Sequence, residues 1–187
     1  MDHISAPNDY FELKLDGYRK WLPLARVTNT LRIASFVLLG EVELTNYCAA
    51  KLADKLRPLD FDYLVGPEAK VVPLLHTLAD MLGQDRYVVC RKSVKGYMIN
   101  PLVINVQSIT TAETQKLVLD GPDADMLRGK KVIMLDDVVS TGGTFKALEM
   151  ILQQAGAVIV GRAAVLKEGT AYTEPLIYLQ DLPLFPG

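Results

Sequence analysis

Val132-Ile-Met-Leu-Asp-Asp-Val-Val-Ser-Thr-Gly-Gly-Thr144 is the stretch that decides the fold. Its first four residues are uniformly apolar, the pattern of a short strand buried on both faces. Two adjacent carboxylates, Asp136 and Asp137, stand at the end of that strand. Ser140, Thr141, Gly142, Gly143 and Thr144 then form a turn that opens a helix. Glycines let a backbone wrap closely around a ligand, and a helix N-terminus offers unpaired N–H groups with a partial positive charge. With three hydroxyls added, the turn is a cradle for a phosphate monoester. The two acids would repel that phosphate, so they suit sugar hydroxyls or a hydrated Mg²⁺ instead. A plain strand, tight turn and capped helix would need no acid pair directly before the glycines. The stretch also lacks the GxxxxGK[ST] of a nucleotide triphosphatase loop and the GxGxxG of a dinucleotide fold.

Working outward, residues 144–154 carry a helical pattern that stops at Gly156, residues 158–166 read as a strand, and residues 176–179 as a last strand. Upstream, Leu44, Cys48, Leu52 and Leu56 recur at i+4 and Pro58 closes that helix. Residues 62–66 form a short strand, residues 70–82 a second helix stopped by Gly83, and residues 87–90 another strand that runs into the basic Arg91-Lys-Ser-Val-Lys95. Residues 102–106 and 116–119 flank a polar tip, a hairpin-like excursion. Residues 1–40 show no regular pattern. Strand–helix–strand units with continuously apolar strands imply an α/β fold whose central, mostly parallel sheet is covered on both faces. Ligands of such sheets bind at the carboxyl ends of the strands.

At 187 residues the chain fits one domain, and half of its residues are hydrophobic. A formal charge of −2 gives no field toward nucleic acid or a membrane surface, so local basic residues must carry any anion binding. The opening MDHISAPNDYFEL has an early acid and no apolar core, unlike a signal peptide, and no apolar run reaches the length of a membrane span. Cys48 and Cys90 read as buried thiols of a reducing cytoplasm; without a CxxC, a structural zinc site is not expected. His76 sits in a helix among apolar residues, a core or rim position rather than a catalytic one.

The stretch from Val132 to Thr144 resembles the phosphoribosyl pyrophosphate motif of type I phosphoribosyltransferases. Over about residues 31–166 the order of elements is similar to that of the purine members. Asp62-Tyr-Leu-Val-Gly-Pro-Glu-Ala-Lys70 matches their first strand and pyrophosphate loop. Arg91-Lys92-Ser-Val-Lys95 is similar to a segment of adenine enzymes, whereas Leu31-Arg-Ile-Ala-Ser-Phe36 and Ser108-Ile-Thr-Thr are closer to xanthine enzymes.

The resemblance implies one phosphoribosyltransferase domain over residues 1–187, with 1–40 and 168–187 forming a hood and residues 93–115 a mobile cover. It implies transfer of the 5-phosphoribosyl group from phosphoribosyl pyrophosphate to a purine base in purine salvage, with Mg²⁺ as cofactor, in a cytoplasmic homodimer. The alternative is a non-catalytic regulator that senses phosphoribosyl pyrophosphate. Catalysis falls to Asp136, Asp137 and Lys92, the acid pair also holding the metal. Val138, Val139, Ser140, Thr141, Gly142, Gly143 and Thr144 would cradle the 5′-phosphate. The backbone of Glu68, Ala69 and Lys70, with the side chains of Arg91, Lys92 and Lys95, would grip the pyrophosphate. Leu31 and Lys167 complete the substrate-binding set, Lys167 as a donor to a 6-oxo group. Glu113 is the one carboxylate of the loop. The chain has Leu38 where xanthine enzymes place an Asn, and Ile177-Tyr-Leu-Gln-Asp-Leu-Pro-Leu-Phe185 is faintly similar to the end of adenine enzymes, so adenine is favoured slightly over a 6-oxopurine.

Overall fold

A computed structural model describes residues 9–107 and 114–187. At its centre lies a five-stranded sheet in the order β10-β9-β8-β4-β5. Its strands are β4 (Tyr63–Pro67), β5 (Val88–Cys90), β8 (Lys131–Val139), β9 (Val158–Glu168) and β10 (Gln180–Leu182), and every neighbouring pair is parallel. Parallel pairing requires crossovers, which α2 (Val72–Met81) and α4 (Gly143–Ala155) provide. All these strands therefore end on one edge, and the turns that follow β4, β5, β8 and β9 converge there.

Alternation along β8 divides the core into two layers. Ile133 and Leu135 face α1 (Val42–Leu56), α2 and the N-terminal strands, while Val132 and Met134 face α4 and α3 (Gly121–Leu127). The i+4 series Leu44, Cys48, Leu52 and Leu56 is fully buried, as its spacing predicts. Burial alone pushes the Cys48 thiol up to about 12, and burial with the nearby charge of Asp123 does the same for Cys90. Helix α4 stops at Gly156 in the left-handed region, φ 78°, its N–H returned to the carbonyls of Leu152 and Gln153. His76 is exposed on α2, its ring edge-on to Tyr87 at 5.9 Å.

Residues 1–40 are not irregular throughout. A second sheet, β1-β2-β3-β11, is built from β1 (Tyr10–Leu15), β2 (Tyr18–Thr28), β3 (Leu31–Ala34) and β11 (Leu184–Pro186). The signal was present in Asp16-Gly17, a two-residue turn with Gly17 at φ 90°, which follows the alternating Phe11, Leu13 and Leu15. Because β11 pairs with β3, the end of the chain closes this sheet.

Helix α3 was also unforeseen, although Asp120 accepts from the Gly121 N–H as its N-cap and Pro122 occupies the first turn. Residues 176–179 lie beside β9, but only Ile177 closes a bridge, to Ala163; full pairing waits for β10. The excursion is the antiparallel hairpin of β6 (Leu102–Gln107) and β7 (Thr114–Leu119), and its tip, with Glu113, lies outside the described residues. No described helix is long and apolar enough to cross a membrane.

Leu52→Ala leaves a cavity between α1 and the sheet. It is expected to lower unfolding free energy by about 2–5 kcal/mol, read from urea denaturation with an unchanged m-value.

Candidate functional site

The carboxyl edge of the central sheet opens into a cleft of about 650 Å³. The turn after β4 brings Glu68, Ala69 and Lys70 to it, and Lys92 arrives just beyond β5. Strand β8 contributes Asp136, Asp137 and Val138, and the turn into α4 contributes Ser140 and Thr144. Three separate strands of the sheet thus deliver residues far apart in sequence to one cavity.

Strand β8 runs on through the acid pair instead of ending before it. Asp136 and Asp137 are each only 7% exposed, and the Asp137 N–H donates to Asp136 Oδ1 at 2.9 Å. Burial, and next the adjacent charge of Asp137, hold the Asp136 carboxyl well above the usual carboxylate range; Lys70 pulls it the other way. Asp137 Oδ2 is buried with no hydrogen-bond partner among the described residues. Such an acceptor fits a ligand hydroxyl or a cation. No group of three or more His, Cys, Asp or Glu side chains among the described residues is placed to hold a metal by itself. Mg²⁺ does not require one, because it commonly takes one or two carboxylates and completes its shell with water and substrate oxygens. The acid pair fits that donor set.

Beside the pair, α4 begins at Gly142 without a side-chain cap, so its first N–H groups are free of that competition. Val139 is buried in the core beneath, while Thr141, Gly142 and Gly143 form the turn between the cleft residues Ser140 and Thr144.

On the opposite flank, Glu68 joins two turns. Its Oε1 accepts from the Lys92 backbone N–H at 2.6 Å, and its Oε2 stands 2.6 Å from Arg91 Nε. That second contact is an ion pair by distance, although the Nε–H is not aligned for a hydrogen bond. The Glu68–Ala69 peptide bond is cis.

Several residues singled out from the sequence lie elsewhere. Arg91 is turned to Glu68 and does not line the cleft. Lys95 Nζ donates to Ser93 Oγ at 2.6 Å within its own loop. Lys167 sits over the Tyr178 ring, 5.9 Å from its centroid, because alternation along β9 sends it away from the face that Glu168 occupies. Leu31 lies outside the cleft, in register with Pro186; the same strand instead presents Ile33 and Ala34, followed by Ser35 and Phe36. Lys116 and Leu117 of β7 also line the cavity and were not singled out, and so does Glu168 of β9, at the strand end where Lys167 and not its neighbour was expected to act. For Glu168, the signal was the parity of β9, which places Leu166 and Glu168 on one face.

The glycine turn is braced from behind. Gly142 has φ 80°, and a methyl group there would run into the ring of Tyr172, which packs edge-on to Phe145 at 6.0 Å. Gly142→Ala therefore combines backbone strain with a ring clash, whereas Gly129, at φ 71° with open space around it, carries only the strain. In urea denaturation, Gly129→Ala is expected to cost about 1 kcal/mol and Gly142→Ala about 2–4 kcal/mol; equal losses would mean that the ring contact contributes nothing.

With this geometry in place, the likeness to known proteins is specific. The family described as "Phosphoribosyl transferase domain" matches residues 43–183. An adenine phosphoribosyltransferase of Petrotoga mobilis is 32% identical over 148 residues, 79% of this chain and 80% of that protein. A hypoxanthine/guanine phosphoribosyltransferase of Methanocella paludicola is 36% identical over 125 residues, 65% of this chain and 58% of its own length. Among solved structures, the adenine phosphoribosyltransferase of Trypanosoma brucei in complex with AMP, pyrophosphate and ribose-5-phosphate superposes with a TM-score of 0.62 at 19% identity, over 80% of this chain and 70% of that one. The acid pair, the glycine turn and the parallel sheet that carries them place this chain in the type I phosphoribosyltransferase family, among its purine enzymes.

Proposed function

We propose that the enzyme uses phosphoribosyl pyrophosphate as donor and adenine as its preferred acceptor, forming a nucleoside monophosphate and pyrophosphate. One observation carries this reading: a buried acid pair and an uncapped, glycine-rich helix start share a single cleft with a lysine-bearing turn on the other flank. A sugar 5′-phosphate matches the helix start, sugar hydroxyls match the acids, and a pyrophosphate matches the turn of Glu68, Ala69 and Lys70 with Lys92. The adenine preference draws on relatives such as the Petrotoga mobilis protein and on the position of Lys167, which lies away from the cleft and so offers no donor to a 6-oxo group.

In the reaction, the C1–oxygen bond to pyrophosphate breaks and its electron pair leaves with the pyrophosphate. A lone pair of the base nitrogen forms the new bond to C1, and the proton on that nitrogen is released. Positive charge grows on the sugar and negative charge on the leaving group. Lys92 and Lys70 would stabilise the leaving group, and Asp136 and Asp137 would orient the sugar through its hydroxyls. Asp136 and Asp137 would hold Mg²⁺, whose charge would further neutralise the pyrophosphate. Wrapping the reacting carbon in protein keeps water from capturing it. Cytoplasmic residence and pairing of two copies belong to the same reading; light scattering on the purified protein tests the pairing.

Pyrophosphate release measured with adenine, hypoxanthine, guanine, xanthine and orotate in turn tests the proposal. Adenine is expected to give the highest kcat/KM, and release with none of the bases would leave a sensor in place of a transferase. Asp137→Ala should lower kcat/KM for phosphoribosyl pyrophosphate by about a hundredfold or more while the thermal midpoint holds; wild-type kinetics would remove the sugar from this position. Lys92→Ala should weaken pyrophosphate binding about tenfold by calorimetry, and an unchanged affinity would return this lysine to the solvent.

A further inference from the structure

Glu168 is the acid that the proposed chemistry has not used. It is 8% exposed, it lines the cleft, and among the described residues it forms no salt bridge. A nearly buried carboxylate without a cation has to take its hydrogen bonds from something else. The same cavity is also lined by the apolar Ile33, Ala34 and Phe36, suited to a flat ring, with Ser35 among them.

Its place in the sheet says which part of a substrate it would meet. The cleft is laid out across three neighbouring strands. The turn after β4 lies on one side of β8, and β9 with Glu168 lies on the other. If the pyrophosphate sits at the β4 turn and the sugar over Asp136 and Asp137, displacement at C1 requires the base to approach from the side opposite the leaving group. That side is β9. The second sheet closes over the same flank, since β10 pairs with β9 and the chain then continues into β11, which pairs with β3.

We infer that Glu168 is a specificity residue for the acceptor, taking a hydrogen bond from the exocyclic 6-amino group of the base. An ionised carboxylate only accepts. It attracts an amino group and repels a carbonyl oxygen presented at the same place, so it selects a 6-aminopurine over a 6-oxopurine. Lys167, the neighbour whose charge would favour the opposite choice, points to Tyr178 on the other face of the strand. This inference rests on the transferase reading above and names the atom by which the base is chosen.

The test compares adenine with unsubstituted purine, which has the same ring and no 6-amino group, and with hypoxanthine and guanine, in the wild-type enzyme, Glu168→Gln and Glu168→Ala. The wild type is expected to prefer adenine over purine by at least about tenfold in kcat/KM, the size of one hydrogen bond to a charged group. Glu168→Ala should bring that ratio to near unity while KM for phosphoribosyl pyrophosphate stays the same. Glu168→Gln keeps an acceptor oxygen and the side-chain volume, so it should retain part of the preference, and it preserves the comparison where the alanine variant folds poorly. An adenine-to-purine ratio unchanged in both variants overturns the role of Glu168 and leaves the transferase reading intact. A wild type that prefers hypoxanthine or guanine overturns the role as well. A wild type that turns over no base overturns the reading on which it rests, and the inference with it.

Discussion

Asp136 and Asp137 stand next to each other, almost out of water, at the carboxyl end of β8. Two neighbouring carboxylates in that position repel each other and lose hydration, and a chain free to move would carry them to the surface. They stay because β8 is hydrogen-bonded along both edges, to β4 and to β9, and because its preceding residues are locked into two opposite core layers. The apolar run of the strand thus holds its polar end in place. Lys70, Lys92 and Lys116 line the same cavity, so the local charge is divided between acids on the central strand and ammonium groups on the flanks.

This arrangement gives the cleft a direction. Along the edge of the sheet, from β5 through β4 and β8 to β9, the lining passes from lysines to the acid pair and then to Glu168, with the apolar Ile33, Ala34 and Phe36 completing the cavity. A substrate with a polyanionic end, a hydroxylated middle and a flat heterocyclic partner matches that order. Glu68 fixes the cationic end by tying the β4 turn to the start of the segment after β5, and Tyr172 fixes the turn beside the acids by packing behind Gly142. Neither contact needs a ligand, and each fixes the course of backbone beside the cleft.

What the sequence disclosed follows the range of the forces involved. The buried strand, the acid pair, the glycine turn and the i+4 series of α1 are local patterns, and each was legible. The strands of the second sheet were not, because they are half-solvated and the pairing of β3 with β11 spans most of the chain. The short turn at Asp16-Gly17 was the available clue. Side-chain direction was the other weak point. Arg91 and Lys167 have the expected charge at the expected address, yet a neighbouring carboxylate captures one and a tyrosine ring the other. Lys167 and Glu168 are adjacent in sequence and opposite in space, and only the register of β9 with β8 tells which of them enters the cavity.

The two cysteines have a practical corollary. Both are sealed in the interior with thiols that hold their protons through the whole neutral and mildly alkaline range. Thiolate is the form of cysteine that reacts with maleimides and iodoacetamides, so both cysteines of the folded chain are silent toward such reagents. A fluorophore or spin label directed to a newly introduced surface cysteine would therefore mark that position alone. Reaction at Cys48 or Cys90 would in turn report that the molecule had opened.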